Sequence, residues 1–260
     1  MFPETFTLLQ NEGFLMQGCF RSSLRRLLQA SSAEPGPFYS AFFNYAIGLE
    51  RLLKVLLMLD QWHDERKFPD NKQLKKYGGD FGHNLAILHQ SVCPLFPKYK
   101  LEWKINWELD AINKDFLVFL ADFANGSRYF NLDQLAGFTN KHGENPIYRW
   151  QRLFYRTYQN DCPKAEKIVT KPDVPEDTMS TTELARHHVI IAAARPYICW
   201  RLIQLLIPLQ ALLIAIREQI HNDDLALDGP DADPSVPYME QFLDFVCEDK
   251  TIIFESEDWP

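Results

Sequence analysis

Phe38-Tyr-Ser-Ala-Phe-Phe-Asn-Tyr-Ala-Ile-Gly48-Leu-Glu-Arg-Leu-Leu-Lys54-Val-Leu-Leu-Met-Leu-Asp-Gln-Trp62 is the stretch on which the fold turns. It is apolar nearly all round (Phe42, Phe43, Tyr45, Ile47, Leu49, Leu52, Leu53, Val55, Leu56, Leu57), and a helix with no polar face belongs in a core. Its few polar residues fall on stripes: Asn44 and Arg51 stand seven apart, Glu50 and Lys54 four apart. Charged groups in such a segment are costly to bury alone, so they pair with one another or do chemistry. A second polar motif, Gly82-His83-Asn84-Leu85, lies on a helix predicted near 80–92, after a turn at Lys67-Phe-Pro-Asp-Asn71. Together the motifs predict a polar seam in a helical core. Glu50, Lys54, His83 and Asn84 are its members, as core polar groups or phosphate contacts, with His83 buried and paired to Glu50.

Working outward, Phe14–Leu28 reads as a first helix with Arg21, Arg25 and Arg26 on its polar side, and Ser31-Ser-Ala-Glu-Pro-Gly-Pro37 as a loop. Leu101–Asn125 reads as an amphipathic helix stopped by Gly126. Arg128 and Tyr129 follow that stop, as backbone caps or as a contact for RNA or a partner. Asn145–Asn160 is helical, and 164–180, rich in Pro, Lys and Asp, is an exposed linker or loop. A long helix starts at Thr181 or Thr182 as cap and runs to about His221, kinked near Pro196 and Pro208. A short helix, Tyr238–Val246, closes the pattern. Strand signals are almost absent. The expected fold class is all-α, a helical bundle with long central apolar helices and a short acidic C-terminal extension. Its expected organisation is a helical core over 1–163, the linker over 164–180, and the kinked helix and tail over 181–260 packing on the same core.

Bulk properties narrow the class. A chain of 260 residues, 46% hydrophobic, can bury a sizeable core. Five scattered cysteines with no C-x-x-C argue against a disulfide framework or zinc site and fit a reducing cytoplasm. Met1-Phe-Pro-Glu-Thr5 lacks the basic then apolar pattern of a secretory signal. The net charge of −8 is uneven: 222–260 hold twelve acidic residues and one basic residue, Lys250, which leaves 23 acidic against 26 basic over 1–221. The tail is then either a solvated segment or a cover for a basic surface. Leu202–Ile216 is an uncharged run of 15 residues between Arg201 and Arg217. Spanning a bilayer takes about 20, so it is expected as a buried core helix rather than a membrane span.

One constellation could carry chemistry. Arg217-Glu-Gln-Ile-His221 places a guanidinium and an imidazole on one helical face, where both can converge on a phosphate. That pairing suits metal-free RNA cleavage, with His221 as general acid or base and Arg217 stabilising developing charge. The plain alternative is that both cations mark the end of an apolar helix and suit its negative C-terminal dipole. His187 and His188 adjoin and point about 100° apart, so they make no joint metal site. His142 reads as an exposed turn residue. There is no Gly-rich phosphate loop, H-E-x-x-H, G-x-S-x-G, finger-type Cys/His spacing or DNA-specific motif. No cofactor and no metal are expected.

Gly48-Leu-Glu-Arg-Leu-Leu-Lys54 followed by Gly82-His83-Asn84-Leu85 resembles the HEPN superfamily of helical bundles. Arg128-Tyr129-x-Asn131-Leu132-Asp133 is similar to a segment of uncharacterised bacterial proteins of that type. The resemblance covers about 36–135 and, more weakly, the helix ending at His221. It implies a dimeric, metal-independent RNase of toxin–antitoxin, CRISPR or phage-defence systems, or one of the family's inactive binding and scaffolding modules. The family's catalytic Arg and His are separated by four to six residues; Arg217 and His221 are separated by three. Two expectations follow: a cytoplasmic, homodimeric endoribonuclease of toxin or defence type using Arg217 and His221, or a non-catalytic helical module engaging RNA or a cognate protein partner.

Overall fold

A helix-compatible pattern nearly free of β-branched runs folds, in the computed structural model, into helices throughout. Residues 3–31, 34–79, 82–138, 144–163, 179–230, 233–256 and 259–260 are described. The elements are α1 (Glu4–Gln29), α2 (Pro35–Glu65), α3 (Asn71–Tyr77), α4 (Leu85–Val92), α5 (Leu95–Lys98), α6 (Ala111–Ala124), α7 (Phe130–Leu135), α8 (Pro146–Asp161), α9 (Thr181–Asp228) and α10 (Thr251–Glu255). Three-ten turns occupy Ser127–Tyr129 and Met239–Leu243, and no strand occurs among the described residues. The fold class is all-α.

Contacts divide the chain into two units that each draw on both sides of 164–180. The first takes Met1–Arg21, Ile47–Glu108 and Leu205–Glu248; the second takes Ser22–Ala46, Leu109–Gln204 and Asp249–Pro260. Of the predicted linker, only Met179 and Ser180 fall among the described residues, and His142 lies outside them.

In the first unit, α2 from Ile47 onward buries Leu49, Leu52, Leu53, Leu56 and Leu59, and α9 from Leu205 buries Leu206, Leu209, Leu213, Ile216 and Ile220. The i, i+3, i+4, i+7 spacing of both sets is what puts them on one face. In the second unit the core is aromatic. Phe38 stacks on Trp150 at 4.3 Å and meets Phe154 edge-on at 5.3 Å, while Phe42 meets Phe119 edge-on at 4.9 Å. Tyr45, fully buried, donates its hydroxyl to the Leu202 carbonyl at 2.6 Å.

Several elements depart from the sequence expectation. The helix predicted over 101–125 begins only at Ala111, because Asp110 caps it by accepting from the Asn113 N–H at 2.8 Å. The long helix is capped by Ser180 and Glu183, each accepting from the other's N–H, rather than by Thr181 or Thr182. It continues to Asp228, past the predicted end at His221 and through Pro196 and Pro208. The Ala192 carbonyl that Pro196 cannot satisfy accepts instead from Arg195 Nε at 3.2 Å. The last predicted helix is a three-ten turn, Met239–Leu243, with α10 beyond it.

The acidic segment is not a free extension. Val236, Met239, Phe242, Leu243 and Phe245 are buried. Asp244 takes both a hydrogen bond and an ion pair from Arg21, at 2.8 Å, while Asp224 pairs with Arg66 at 2.5 Å. These carboxylates cover basic groups of their own unit. By length and composition α9 could cross a bilayer, and 56% of its most apolar window is buried within the protein.

Candidate functional site

Arg217 and His221 share a face of α9, as their spacing requires, but two turns from where the helix ends. The reading that they suit a C-terminal helix dipole is therefore corrected. Arg217 Nη2 donates to Glu240 Oε1 at 2.8 Å, and its guanidinium lies over the Tyr238 ring at 4.9 Å. The carboxylate thus already engages one of the Arg217 donors. The pairing is incomplete: Arg217 Nε, Glu240 Oε2 and His221 Nδ1 are buried without hydrogen-bond partners. Unpaired buried polar atoms are costly and mark a strained or unfinished polar site.

The second set does come together. Glu50 Oε1 accepts from Lys54 Nζ at 2.7 Å and lies 2.8 Å from His83 Nδ1. The seam lies at the edge of the core rather than inside it, because the His83 side chain is 62% exposed. Of the GHNL motif, Gly82, His83 and Asn84 form the turn before α4, and Leu85 begins the helix. Gly82 has φ +72°, and a Cβ on it would lie 3.0 Å from Lys75 Cα of α3. Asn84 is the N-cap of α4, accepting from the Ala86 and Ile87 N–H groups at 3.0 and 3.2 Å. Its role is to start α4.

Arg128 also closes a helix. Its Nη1 donates to the Phe123 carbonyl at 3.3 Å and to the Ala124 carbonyl, and its guanidinium lies over Phe43 and Tyr129. Tyr129 stays half exposed. With Leu132, Leu135 and Phe138 it forms a ladder spaced by three residues, and these side chains are 50%, 64%, 86% and 68% exposed.

A further site was not predicted. A cavity of about 520 Å³ in the first unit is lined by His63, Lys98, Tyr99, Lys100, Leu101, Lys104 and the α9 face bearing Ala211, Ile214, Ala215, Glu218, Gln219 and Asn222. Lys98 Nζ donates to Asp60 at 2.6 Å and Asp64 at 2.7 Å, and the Tyr99 hydroxyl donates to Asp60 at 2.9 Å. Both ring nitrogens of His63 face carboxylates, Asp64 at 3.2 Å and Asp223 at 3.4 Å. Burial and the Asp60 charge push the Tyr99 phenol far above its usual range, so it remains a proton donor. Burial alone would lower the Lys98 ammonium, but the hydrogen bonds to Asp60 and Asp64 outweigh it and raise it. The sequence signal was weak: Asp60-x-x-His63-Asp64 reads as a helix end and Lys98-Tyr-Lys100 as a turn. Only folding brings them to one wall.

Among the described residues no group of His, Cys, Asp and Glu side chains could hold a metal ion. The fold and these sites define an all-α protein of two helical units. No family model, curated protein or solved structure matches the chain.

Proposed function

We propose that this protein is a non-catalytic helical binding module, homodimeric and cytoplasmic, that engages its partner through the ladder Tyr129, Leu132, Leu135 and Phe138. The exposure of that ladder carries the reading: four large apolar side chains, 50–86% exposed, fall within one stretch of ten residues, and exposed apolar clusters mark interaction sites. Glu240 supports it, since its carboxylate already holds Arg217, the guanidinium a nuclease would need for phosphate. In this reading α9 is a core helix rather than a membrane span. The resemblance to HEPN proteins, which include inactive scaffolding members and are often dimeric, points the same way.

The test is the molar mass of wild type and a Leu132→Glu/Leu135→Glu variant by light scattering at micromolar concentration. A wild-type dimer that becomes monomeric in the variant, with unchanged helical circular dichroism, is expected. A monomeric wild type, or a dimer indifferent to the substitutions, overturns the reading.

The second reading, a metal-independent endoribonuclease of toxin or defence type, draws on one observation. His221 Nδ1 and Arg217 Nε are both buried and unpaired on one helical face, as a general acid–base and an anion holder awaiting a phosphate would be. Cleavage of total cellular RNA in excess EDTA by wild type, lost in His221→Ala and Arg217→Ala, would establish it. No cleavage by folded wild type is the expected result.

A further inference from the structure

We propose that the cavity walled by α9, the end of α2 and the 98–104 turn binds a small amphiphilic anion, a phosphate or carboxylate head on a flat apolar body. The inference is independent of the module reading, whose ladder lies in the second unit. Four observations carry it.

The cavity's volume, about 520 Å³, falls within the span of small-molecule sites, roughly 300–1,000 Å³. Part of its lining is apolar: Ala211, Ile214 and Ala215 come from one stretch of α9 and Leu101 from the 98–104 turn, and two alanines four apart leave room for a flat group. Its cations are divided in use. Lys98 is held by Asp60 and Asp64, whereas Lys100 and Lys104 have no acidic partner among the described residues. Glu218, the carboxylate in the lining, is 61% exposed and lies 3.9 Å from Arg217 Nη2, which holds Glu240 more closely at 2.8 Å. Lys100 and Lys104 against the single lining carboxylate, in a part-apolar cavity, leave a place for an anion.

The fourth observation is conformational. Lys100 and Arg66 are the two non-glycine residues with positive φ among the described residues, at +58° and +52°. Each ends a helix at the place glycine usually takes, because only glycine sits there without strain. Arg66 uses its side chain to hold Asp223 and Asp224. Lys100 makes no such bond among the described residues, and it lines the cavity. A strained residue retained where glycine would fit better points to a use for the side chain.

Phenyl phosphate, benzoate, inorganic phosphate and benzyl alcohol, titrated against the full chain by calorimetry or ligand-observed NMR, test the proposal. Expected is saturable 1:1 binding of phenyl phosphate or benzoate, with Kd on the order of 1 mM for so small a probe. Whichever of the two binds tighter assigns the head group. Inorganic phosphate, which leaves the apolar lining uncovered, and benzyl alcohol, which leaves the lysines unpaired, bind at least about tenfold more weakly. Lys100→Gly weakens binding about tenfold or more while its urea midpoint stays or rises, since the substitution relieves the backbone. Lys104→Ala weakens binding similarly and keeps the wild-type midpoint. The proposal is overturned if neither anion saturates by about 20 mM. It is overturned equally if inorganic phosphate binds as tightly as phenyl phosphate, or if both lysine variants bind as wild type does.

Discussion

Replacing Arg201 with alanine is expected to damage the second unit without touching an apolar side chain. Arg201 is 9% exposed. Its Nε and Nη2 form a two-pronged pair with Asp161 at 2.7 and 2.6 Å, and its Nη1 donates to Asp110 at 2.5 Å. One guanidinium thus ties α9 to the ends of α8 and α6. Removing it leaves Asp161, whose side chain is 16% exposed, and the buried Asn113 amide oxygen without their donor. Breaking a buried pair from one side costs about 3–5 kcal/mol; Asp110 remains largely solvated, which places the expected loss near about 3 kcal/mol. Arg201→Lys keeps the charge but cannot reproduce the fork, and is expected to lose about 1.5–3 kcal/mol. Asp161→Ala removes the acid that suffers most, so the double variant Arg201→Ala/Asp161→Ala is expected to cost less than the sum of the singles by about 2 kcal/mol. Urea unfolding followed by circular dichroism measures all four variants against wild type. Additive losses, or a loss below about 1 kcal/mol for Arg201→Ala, would falsify the view that this pair is desolvated and mutually dependent.

Acid should weaken the first unit through Asp224. Burial favours its neutral form, but hydrogen bonds from the Ser235 N–H and hydroxyl and the Arg66 guanidinium more than offset this and hold its carboxyl below the usual value. A depressed carboxyl stabilises fully above its unfolded value, about 3.9, and that contribution is lost as pH falls through the lower folded value. The urea midpoint is therefore expected to fall as pH drops below about 4, with a shallower fall in Asp224→Asn, whose stability at neutral pH is lower by about 1.5–3 kcal/mol. Equal slopes would remove Asp224 from the account. Gly13→Ala is expected to destabilise by about 1–3 kcal/mol, because the new Cβ would lie 2.1 Å from the Phe242 ring. A thermal melt unchanged from wild type would show that the ring moves aside freely.

Much of the fold was legible because it is written in period. The apolar residues of α2 and α9 recur at helical spacing, and Asn145-Pro146 announces the start of α8 as cap and first-turn proline. Boundaries decided by a single side chain were not legible. Asp110 begins α6 ten residues later than the apolar pattern suggests. The GHNL motif, apolar in neighbourhood, is a turn and cap through Gly82–Asn84, with the helix starting only at Leu85. Of the site residues, the Glu50–His83 pair followed from the cost of lone polar groups in an apolar setting, whereas the exposure of His83 depended on where the turn lands.

The sequence by itself determined helix, apolar face and charge balance, since each is a property of residues a few positions apart. Tertiary structure alone decided which charges meet. Glu240 reaches Arg217, Asp224 reaches Arg66 and Lys98 reaches Asp60 across separations of 23, 158 and 38 residues. Nothing local constrains such pairs; they form because packing the apolar faces of α2 and α9 with the 236–245 segment brings them within hydrogen-bond distance. The same packing lines a cavity with Lys100 and Lys104, neither of which has an acidic partner among the described residues.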